Sequence, residues 1–190
     1  LIDGANPEAP SAFDWGGTVR GFAGKMDAPV PRELKKEELP RIVEEFRQGA
    51  RRAIDAGVDG VEIHNANGYL LHEFMAASSN KREDEFGGSP ENRWRLPEMV
   101  IRAVVEEIGA DRVGVRFSPA HNVQGVIEDD KEDMLATYDG LLDALAPLNL
   151  AYVSLLHGEP DSELIATLAQ QARANGVTKV LMNDGFPTIT

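Results

Sequence analysis

Residues 56–89 read AGVDGVEIHNANGYLLHEFMAASSNKREDEFGGS, and the strand near their start decides the fold. Val58, Val61 and Ile63 are β-branched, a glycine precedes them, and an Asn- and Gly-rich segment follows His64. This pattern predicts a short buried strand that ends at His64. A strand buried on both faces belongs to a parallel sheet, where chemistry collects at the carboxyl ends of the strands. We therefore expect a functional site at His64 and in the turn that follows.

Three side chains at this strand end, His64, Asn67 and Tyr69, suit one reaction. An imidazole and a carboxamide each donate a hydrogen bond to a carbonyl oxygen, and both bonds strengthen as that carbonyl becomes enolate-like. A tyrosine hydroxyl keeps its proton near neutrality and can donate it to carbon. A lone histidine at a strand end is more often structural, so the spacing of all three residues carries the catalytic interpretation. We interpret Asn65 and Gly68 as residues that shape the turn.

Helix and strand patterns alternate along the rest of the chain. Apolar residues at helical spacing predict helices over 36–56, 70–77, 91–108, 131–145 and 161–175. Apolar and β-branched runs predict further strands over 112–118, 150–156 and 177–182. This strict alternation predicts a parallel α/β fold, a (β/α)8 TIM barrel, of which the chain supplies about half because a whole barrel takes about 250 residues.

Two regions depart from that regular pattern. Residues 1–36 are rich in proline and glycine without periodicity, so we expect a loop or excursion segment before a single partial barrel domain over residues 37–190. Pro97 would break a helix interior, so the regular helix should begin near it, with a separate turn over 89–96.

Composition limits the classes of partner and location. The 190 residues carry a net charge of −13, which disfavours nucleic acid and anionic membranes as partners. There is no cysteine, which excludes disulfides and thiolate metal sites and favours a cytoplasmic location. No apolar run is long enough to span a bilayer. The chain begins at Leu1 rather than Met, which suggests a fragment of a longer protein.

The motifs together resemble one family. GVDGVEIHNANGYLLHEF, the following Asn-x-Arg-x-Asp segment, FGGSPENRWR and GVRFSP at 114–119 are similar to the old yellow enzyme family of flavin-dependent ene-reductases. The resemblance implies that His64 and Asn67 hold the substrate carbonyl, that Tyr69 is the proton donor, and that Arg116 lies against the pyrimidine edge of the flavin. It also places the chain after the third barrel strand and ends it in the loop after the seventh.

The resemblance further implies FMN and NAD(P)H as cofactors, and an α,β-unsaturated carbonyl or nitro compound as substrate. A homo-oligomer is compatible with it. Asp184 departs from the family's usual Gly-Gly or Gly-Asn pair, which puts contact between Gly185 and the FMN phosphate in doubt because a carboxylate repels phosphate. Two alternatives remain open: a half-barrel fragment without catalytic activity, and a non-flavin barrel lyase or aldolase.

Other charged residues are predicted to be structural. We expect Arg82, Asp84 and Arg93 to form pairs, and the acidic residues over 128–133 to lie at a helix N-terminus rather than bind calcium. His157 is a weaker candidate for cofactor contact. Neither it nor His72 shows zinc-ligand spacing.

Overall fold

The computed structural model of the protein describes residues 6–21, 24–177 and 179–184. Strands and helices alternate after an opening excursion. The elements in chain order are β1 (Glu8–Ala9), β2 (Thr18–Gly21), β3 (Gly24–Asp27), β4 (Arg32–Glu33), α1 (Leu39–Asp55), β5 (Val61–Asn65), α2 (Leu70–Met75), α3 (Pro90–Arg93), α4 (Arg95–Ile108), β6 (Val113–Phe117), α5 (Lys131–Leu145), β7 (Tyr152–His157), α6 (Glu163–Ala174) and β8 (Val180–Asp184). The predicted helices and barrel strands are all present, with small shifts at their ends.

The main sheet has four parallel strands in the order β5-β6-β7-β8. Consecutive strands are therefore neighbours, and a helical segment connects each strand to the next, as in a (β/α) barrel. Ile63, Val115 and Val153 are register partners across three strands. All three point to the side covered by the helices and belong to one buried core.

The opposite face of the sheet, here called the inner face, carries the alternate residues of each strand. It is more polar: Glu62 and His64 of β5 are half-buried there. Gly114 lies on this face next to Tyr152, and a Cβ at Gly114 would fall 2.2 Å from the Tyr152 ring. A glycine at this position therefore makes room for the tyrosine.

The break predicted before Pro97 is confirmed. Ser89 caps α3, its hydroxyl accepting a hydrogen bond from the backbone N–H of Asn92, and α4 begins only at Arg95. Pro97 is then the third residue of α4, where the missing N–H would have no partner within the helix. This accounts for a proline inside an amphipathic helical pattern.

The excursion contains short strands that the sequence pattern does not predict. β1 pairs with β4 in parallel, and β2 pairs with β3 as an antiparallel hairpin. The β1–β4 pair has only two residues on each strand, which is too short to show a periodic pattern of apolar residues in the sequence. It joins the beginning and the end of the excursion.

The segment after α2 is pinned by buried polar side chains, as predicted. The guanidinium Nε of Arg82 donates to Asp84 at 3.0 Å, and Nη1 donates to the carbonyl of Pro10 at 3.1 Å. Arg93 is 2% exposed, and its Nε donates to the carbonyl of Met75 at 2.7 Å. The segment is therefore fastened both to α2 and to the excursion.

The acidic residues over 128–133 divide between two roles. Asp130 caps α5, accepting from the backbone N–H groups of Glu132 and Asp133, as expected for charge at a helix N-terminus. Glu128, in contrast, is buried. Among the residues that the structure describes, none form a group of three or more ligands placed to hold a metal ion. No helix in the described ranges is both long and apolar enough to cross a membrane.

Candidate active site

The inner-face side chains near the carboxyl ends of the strands form one row. His64, Arg116 and Ser154 are register partners on β5, β6 and β7. Register partners in a parallel sheet point to the same face, so these three side chains lie side by side. Asn183 of β8 extends the row, since its amide donates to the Ser154 hydroxyl at 3.2 Å. The row places polar groups where a parallel barrel carries its chemistry.

The turn after β5 has a left-handed backbone. Asn67 has φ 56° and Gly68 has φ 72°. The backbone N–H of Asn67 donates to the Ser118 hydroxyl at 2.7 Å, and its carbonyl accepts from the Gln124 amide at 3.0 Å. Asn65 lies in the strand instead, buried with its amide 3.0 Å from the sulfur of Met75, so it does not shape the turn as predicted. The turn is thus held from the loop that follows β6.

The turn brings the predicted proton donor next to the predicted oxyanion donor. The rings of His64 and Tyr69 are 5.2 Å apart between centroids and tilted by 58°. Tyr69 is 54% exposed, so its hydroxyl is accessible to a small molecule. Within the described part of the chain, Asn67 Oδ1 is buried without a hydrogen-bond partner. Oδ1 is an acceptor, so only a ligand that donates a hydrogen bond would recover the cost of about 1–3 kcal/mol, whereas a carbonyl oxygen would take the donors of the amide nitrogen.

The charge state of His64 suits a neutral hydrogen-bond donor. Burial lowers the pKa of His64 below its ordinary value of 6.5, and the positive charge of Arg116 lowers it further, against an opposing effect of Glu62. A neutral imidazole donates from one ring nitrogen and accepts at the other. A neutral His64 can therefore donate one hydrogen bond to an oxygen acceptor near pH 7.

Arg116 is the main cationic group on this part of the inner face. Its Nε lies 2.7 Å from a carboxylate oxygen of Glu62, and both side chains are partly exposed, 31% and 24%. The Nε–H is not aimed at that carboxylate and has no hydrogen-bond partner among the described residues, so the ion pair leaves the donors of the guanidinium open to another partner. A guanidinium presents its donors in one plane, which matches the carbonyl and ring-nitrogen acceptors of a heterocycle.

Two residues that hold the turn were missed by sequence reasoning. Ser118 directly follows β6, and Gln124 lies in the loop beyond it; both bond the backbone of Asn67. Ser118 could have been predicted from its position at a strand end, because neighbouring parallel strands bring their carboxyl ends together. Nothing in the local sequence around Gln124 indicates its partner.

The other candidates lie apart from this site or outside the described residues. The ring of His157 contacts the backbone of Glu159, with Glu159 N–H donating to Nδ1 at 3.0 Å. His157 alternates with Ser154 and Leu156 on β7, so it does not share the inner face. Gly185 lies outside the described residues, and β8 ends one residue before it.

The parallel strands, their helices and the donors at their carboxyl edge define part of a (β/α)8 barrel enzyme. A model of the NADH:flavin oxidoreductase / NADH oxidase family matches residues 4–185, and the chain belongs to this family. The resemblance to old yellow enzymes is confirmed. The family is one of oxidoreductases, which disfavours the lyase alternative.

Solved structures agree in fold. The old yellow enzyme homologue from Zymomonas mobilis superposes with a TM-score of 0.86 at 33% identity, covering 98% of this chain and 53% of that one. Morphinone reductase in complex with tetrahydroNAD superposes with a TM-score of 0.84 at 35% identity, covering 97% of this chain and 51% of its own. These likenesses confirm the TIM-barrel fold and the prediction that the chain supplies about half of it.

Relatives in sequence carry reductase names. Putative 12-oxophytodienoate reductase 5 of Oryza sativa subsp. japonica is 58% identical over 102 residues, which is 54% of this chain and 27% of that protein. Aldehyde reductase FrzD of Cladobotryum sp is 45% identical over 139 residues, which is 70% of this chain and 36% of that protein. The chain thus spans well under two thirds of the length of these relatives.

Proposed function

We propose that this chain is part of an FMN-dependent ene-reductase, which reduces the activated C=C bond of α,β-unsaturated carbonyl or nitro compounds with NAD(P)H. The observation that carries the proposal is the arrangement after β5: the rings of His64 and Tyr69 in contact, with the carboxamide of Asn67 in the same turn. Membership of a flavin oxidoreductase family supports it.

The roles follow from the chemistry of each group. His64 and Asn67 bind the carbonyl or nitro oxygen of the substrate and stabilise the negative charge that develops on it during reduction. Tyr69 delivers a proton to the α-carbon, and its exposed position in the turn leaves its hydroxyl accessible. The three residues would therefore act on one substrate from one side, two on its oxygen and one on its carbon.

The inner face fits the flavin at one edge. Arg116 is partly exposed beside His64, with its Nη donors available, so it would bind the pyrimidine edge of FMN. FMN supplies the hydride that the protein's own side chains lack, after reduction by a nicotinamide. That morphinone reductase is solved with tetrahydroNAD supports a nicotinamide as the reductant. The proposal includes a cytoplasmic location, favoured by the absence of cysteine, and no nucleic-acid or membrane partner, favoured by the net charge of −13; a homo-oligomer is compatible with it.

The first experiment is the visible absorption spectrum of the purified full-length protein, before and after anaerobic addition of NADPH. We expect an oxidised-flavin band that bleaches with NADPH and returns when cyclohexenone is added. A protein that stays colourless after addition of FMN would favour the alternative of a fragment without catalytic activity. A band that bleaches with NADPH but does not return with cyclohexenone would show that the protein binds a reducible flavin but does not use this enone as a substrate.

Replacement of Tyr69 by phenylalanine tests the acid. The ring and its contact with His64 are kept, and only the hydroxyl is lost. General acid catalysis contributes about 10²–10⁴-fold, so the rate of cyclohexenone reduction should fall by at least about 100-fold. Reduction of the flavin by NADPH should stay close to the wild-type rate, because it requires no proton from Tyr69. An unchanged cyclohexenone rate would remove Tyr69 from the mechanism.

A further inference from the structure

A buried polar network lies directly behind the turn that carries Asn67 and Tyr69. His72, in α2, is 0% exposed, and its Nδ1 accepts a hydrogen bond from the backbone N–H of Gly68 at 3.0 Å. Its other ring nitrogen, Nε2, lies 3.2 Å from the hydroxyl of Tyr138 and 3.4 Å from the carboxylate of Glu128. His72 therefore joins the turn to two side chains from elsewhere in the fold.

The far end of the network is the carboxylate of Glu128, whose side chain is 4% exposed. Its Oε2 accepts the hydroxyl of Tyr138 at 3.3 Å and the backbone N–H of Ala120 at 2.8 Å. The backbone N–H of Glu128 in turn donates to the Asn122 side chain at 2.9 Å. One carboxylate thus connects α5, the loop after β6 and, through His72, the turn after β5.

These contacts fix which ring nitrogen of His72 accepts a hydrogen bond. Because Nδ1 accepts from Gly68, it carries no proton; a charged imidazolium would set an N–H against the N–H of Gly68. Nε2 therefore holds the ring's proton and donates towards Tyr138 and Glu128. Burial first, and the charge of Glu128 second, raise the pKa of Tyr138 well above its ordinary value, so its hydroxyl keeps its proton and donates to the carboxylate.

The bond from Gly68 lies between the two proposed reacting residues of the turn, Asn67 and Tyr69. The N–H of Gly68 belongs to the peptide that joins Asn67 to Gly68, so its direction sets the plane of that peptide. The side chain of Asn67 projects from one end of this peptide, and that of Tyr69 begins one residue beyond the other. Gln124 binds the carbonyl of this same peptide from the loop after β6, and among the described contacts His72 binds its N–H from within the core.

We propose that His72 is a positioning residue: its neutral Nδ1, fixed by Tyr138 and Glu128, aims Asn67 and Tyr69 at the substrate. The inference rests on the proposed ene-reductase function, since it assigns what supports the reacting side chains. A displacement of about 1 Å at an aligned reacting group costs about 100-fold in rate, so loss of one backbone anchor has a measurable effect.

Two isosteric fragments of histidine separate the two ends of the ring. In His72→Asn, the amide oxygen reaches the position of Nδ1 and still accepts from Gly68, but the side chain is too short to reach Tyr138. In His72→Gln, the amide reaches the position of Nε2 and still meets Tyr138 and Glu128, but nothing replaces Nδ1. Both variants are neutral and polar, so each serves as the control for the other.

The experiment uses the full-length FMN-loaded protein and measures reoxidation of the reduced protein by cyclohexenone in a stopped-flow instrument. We expect His72→Asn to stay within about threefold of wild type and His72→Gln to fall by about tenfold or more, since only the second loses the hydrogen bond to the N–H of Gly68. Reoxidation by molecular oxygen needs no proton on carbon and should be equal in all three proteins. Equal cyclohexenone rates in the two variants would overturn the proposal.

Amide hydrogen exchange provides a readout that does not depend on turnover. The N–H of Gly68 should be protected in wild type and in His72→Asn, and should exchange faster in His72→Gln. If wild type failed to reduce enones, the proposed function would fail while this contrast still tested the anchor. If wild type reduced enones but Gly68 exchanged equally in both variants, the positioning role would be refuted and the function would stand.

Discussion

Gly68 is confined both by its backbone and by its surroundings. Its φ of 72° is a left-handed conformation, and a Cβ there would lie 2.6 Å from the carbonyl oxygen of Val123 in the loop after β6. A side chain at this position therefore meets two separate penalties, one from the backbone conformation and one from the neighbouring loop. This residue is where the two loops that carry the site approach each other closely.

Substitution of Gly68 by alanine should cost more than the same substitution at Gly57. Gly57 has φ 90° but open space around a Cβ, so Gly57→Ala carries only the left-handed penalty of about 1–2 kcal/mol. Gly68→Ala adds overpacking, typically about 1–3 kcal/mol, against Val123. Urea unfolding of the two variants measures the difference in free energy of unfolding. Equal losses in free energy of unfolding would show that the loop at Val123 moves aside without an energetic cost.

Glu73 gives the site region a dependence on pH. It lines a cavity of about 340 Å³ together with Tyr69, Trp15 and residues of the excursion. Burial raises the pKa of Glu73 from 4.5 to about 7. The native protein therefore retains a proton that the unfolded chain loses above pH 4.5, so this residue lowers stability as pH rises from 4.5 to about 7, and adds no further change above.

Glu73→Gln should therefore be stabilising at neutral pH and not at acid pH. Relative to wild type, its free energy of unfolding should rise by about 3 kcal/mol at most between pH 4.5 and 7.5, because one pKa unit corresponds to about 1.36 kcal/mol. Thermal unfolding of both proteins at several pH values tests this. A difference in free energy of unfolding between the two proteins that stays constant with pH would show that the carboxyl of Glu73 ionises as in the unfolded chain.

The three residues proposed to be catalytic can be recognised in the sequence, but the residues that support them cannot. His64, Asn67 and Tyr69 lie within six residues of one another, so their spacing is visible along the chain. Tyr138 and Glu128 meet His72 from 66 and 56 positions away, and only the tertiary packing of α5 and of the loop before it brings them there. In the sequence, Tyr138 lies within the predicted helix over 131–145 and Glu128 within the acidic stretch before it, and neither pattern indicates a contact with His72.

At the scale of elements, Arg82 connects the excursion to the barrel. Its Nη1 donates to the carbonyl of Pro10, beside β1, and to that of Leu34, beside β4. The backbone N–H of Leu34 donates to the carbonyl of Ala9 at 2.9 Å, which closes the same junction. The two ends of the excursion are thus held at a single buried guanidinium.

Arg82→Met should loosen this junction. The substitution keeps much of the apolar stem but leaves buried carbonyls without donors, at a cost of about 1–3 kcal/mol for each group left unpaired. We expect faster amide exchange at Leu34 and Arg32, with smaller changes in the four-stranded sheet. The control is Arg51→Met: Arg51 pairs with Asp55 on the exposed face of α1, where a salt bridge contributes about 0.2–1 kcal/mol. Unchanged amide hydrogen exchange at Leu34 in Arg82→Met would show that Arg82 does not hold the two ends of the excursion together.

The larger elements follow from periodicity, and the small ones do not. Helices such as α1 and α4 show an apolar stripe over many residues, and a stripe of that length identifies a helix without tertiary information. β1 and β4 are two residues each and pair across 24 positions. Their strand conformation comes from the partner rather than from their own residues, so the sequence predicts loop there.

At the scale of the whole molecule, the four-stranded sheet ends at β5 on one side and β8 on the other. Leu181 and Met182 of β8 are each 48% exposed. In a complete barrel both terminal strands pair with further strands, and apolar groups along them become covered. Known structures of about twice this length are consistent with that, since the chain covers 53% of the Zymomonas mobilis homologue.

Because β1 pairs with β4, the length of the segment between them can change without changing the barrel. Its two ends are already held together, so the entropy of closing the loop grows only with the logarithm of its length, about 0.6 kcal/mol for each doubling. The β2–β3 hairpin within it is largely exposed and adds little to the core. Residues could therefore be added or exchanged in this hairpin with little loss of folding stability. The hairpin lies beside the cavity next to Tyr69, so changes in it are a direct way to alter substrate specificity.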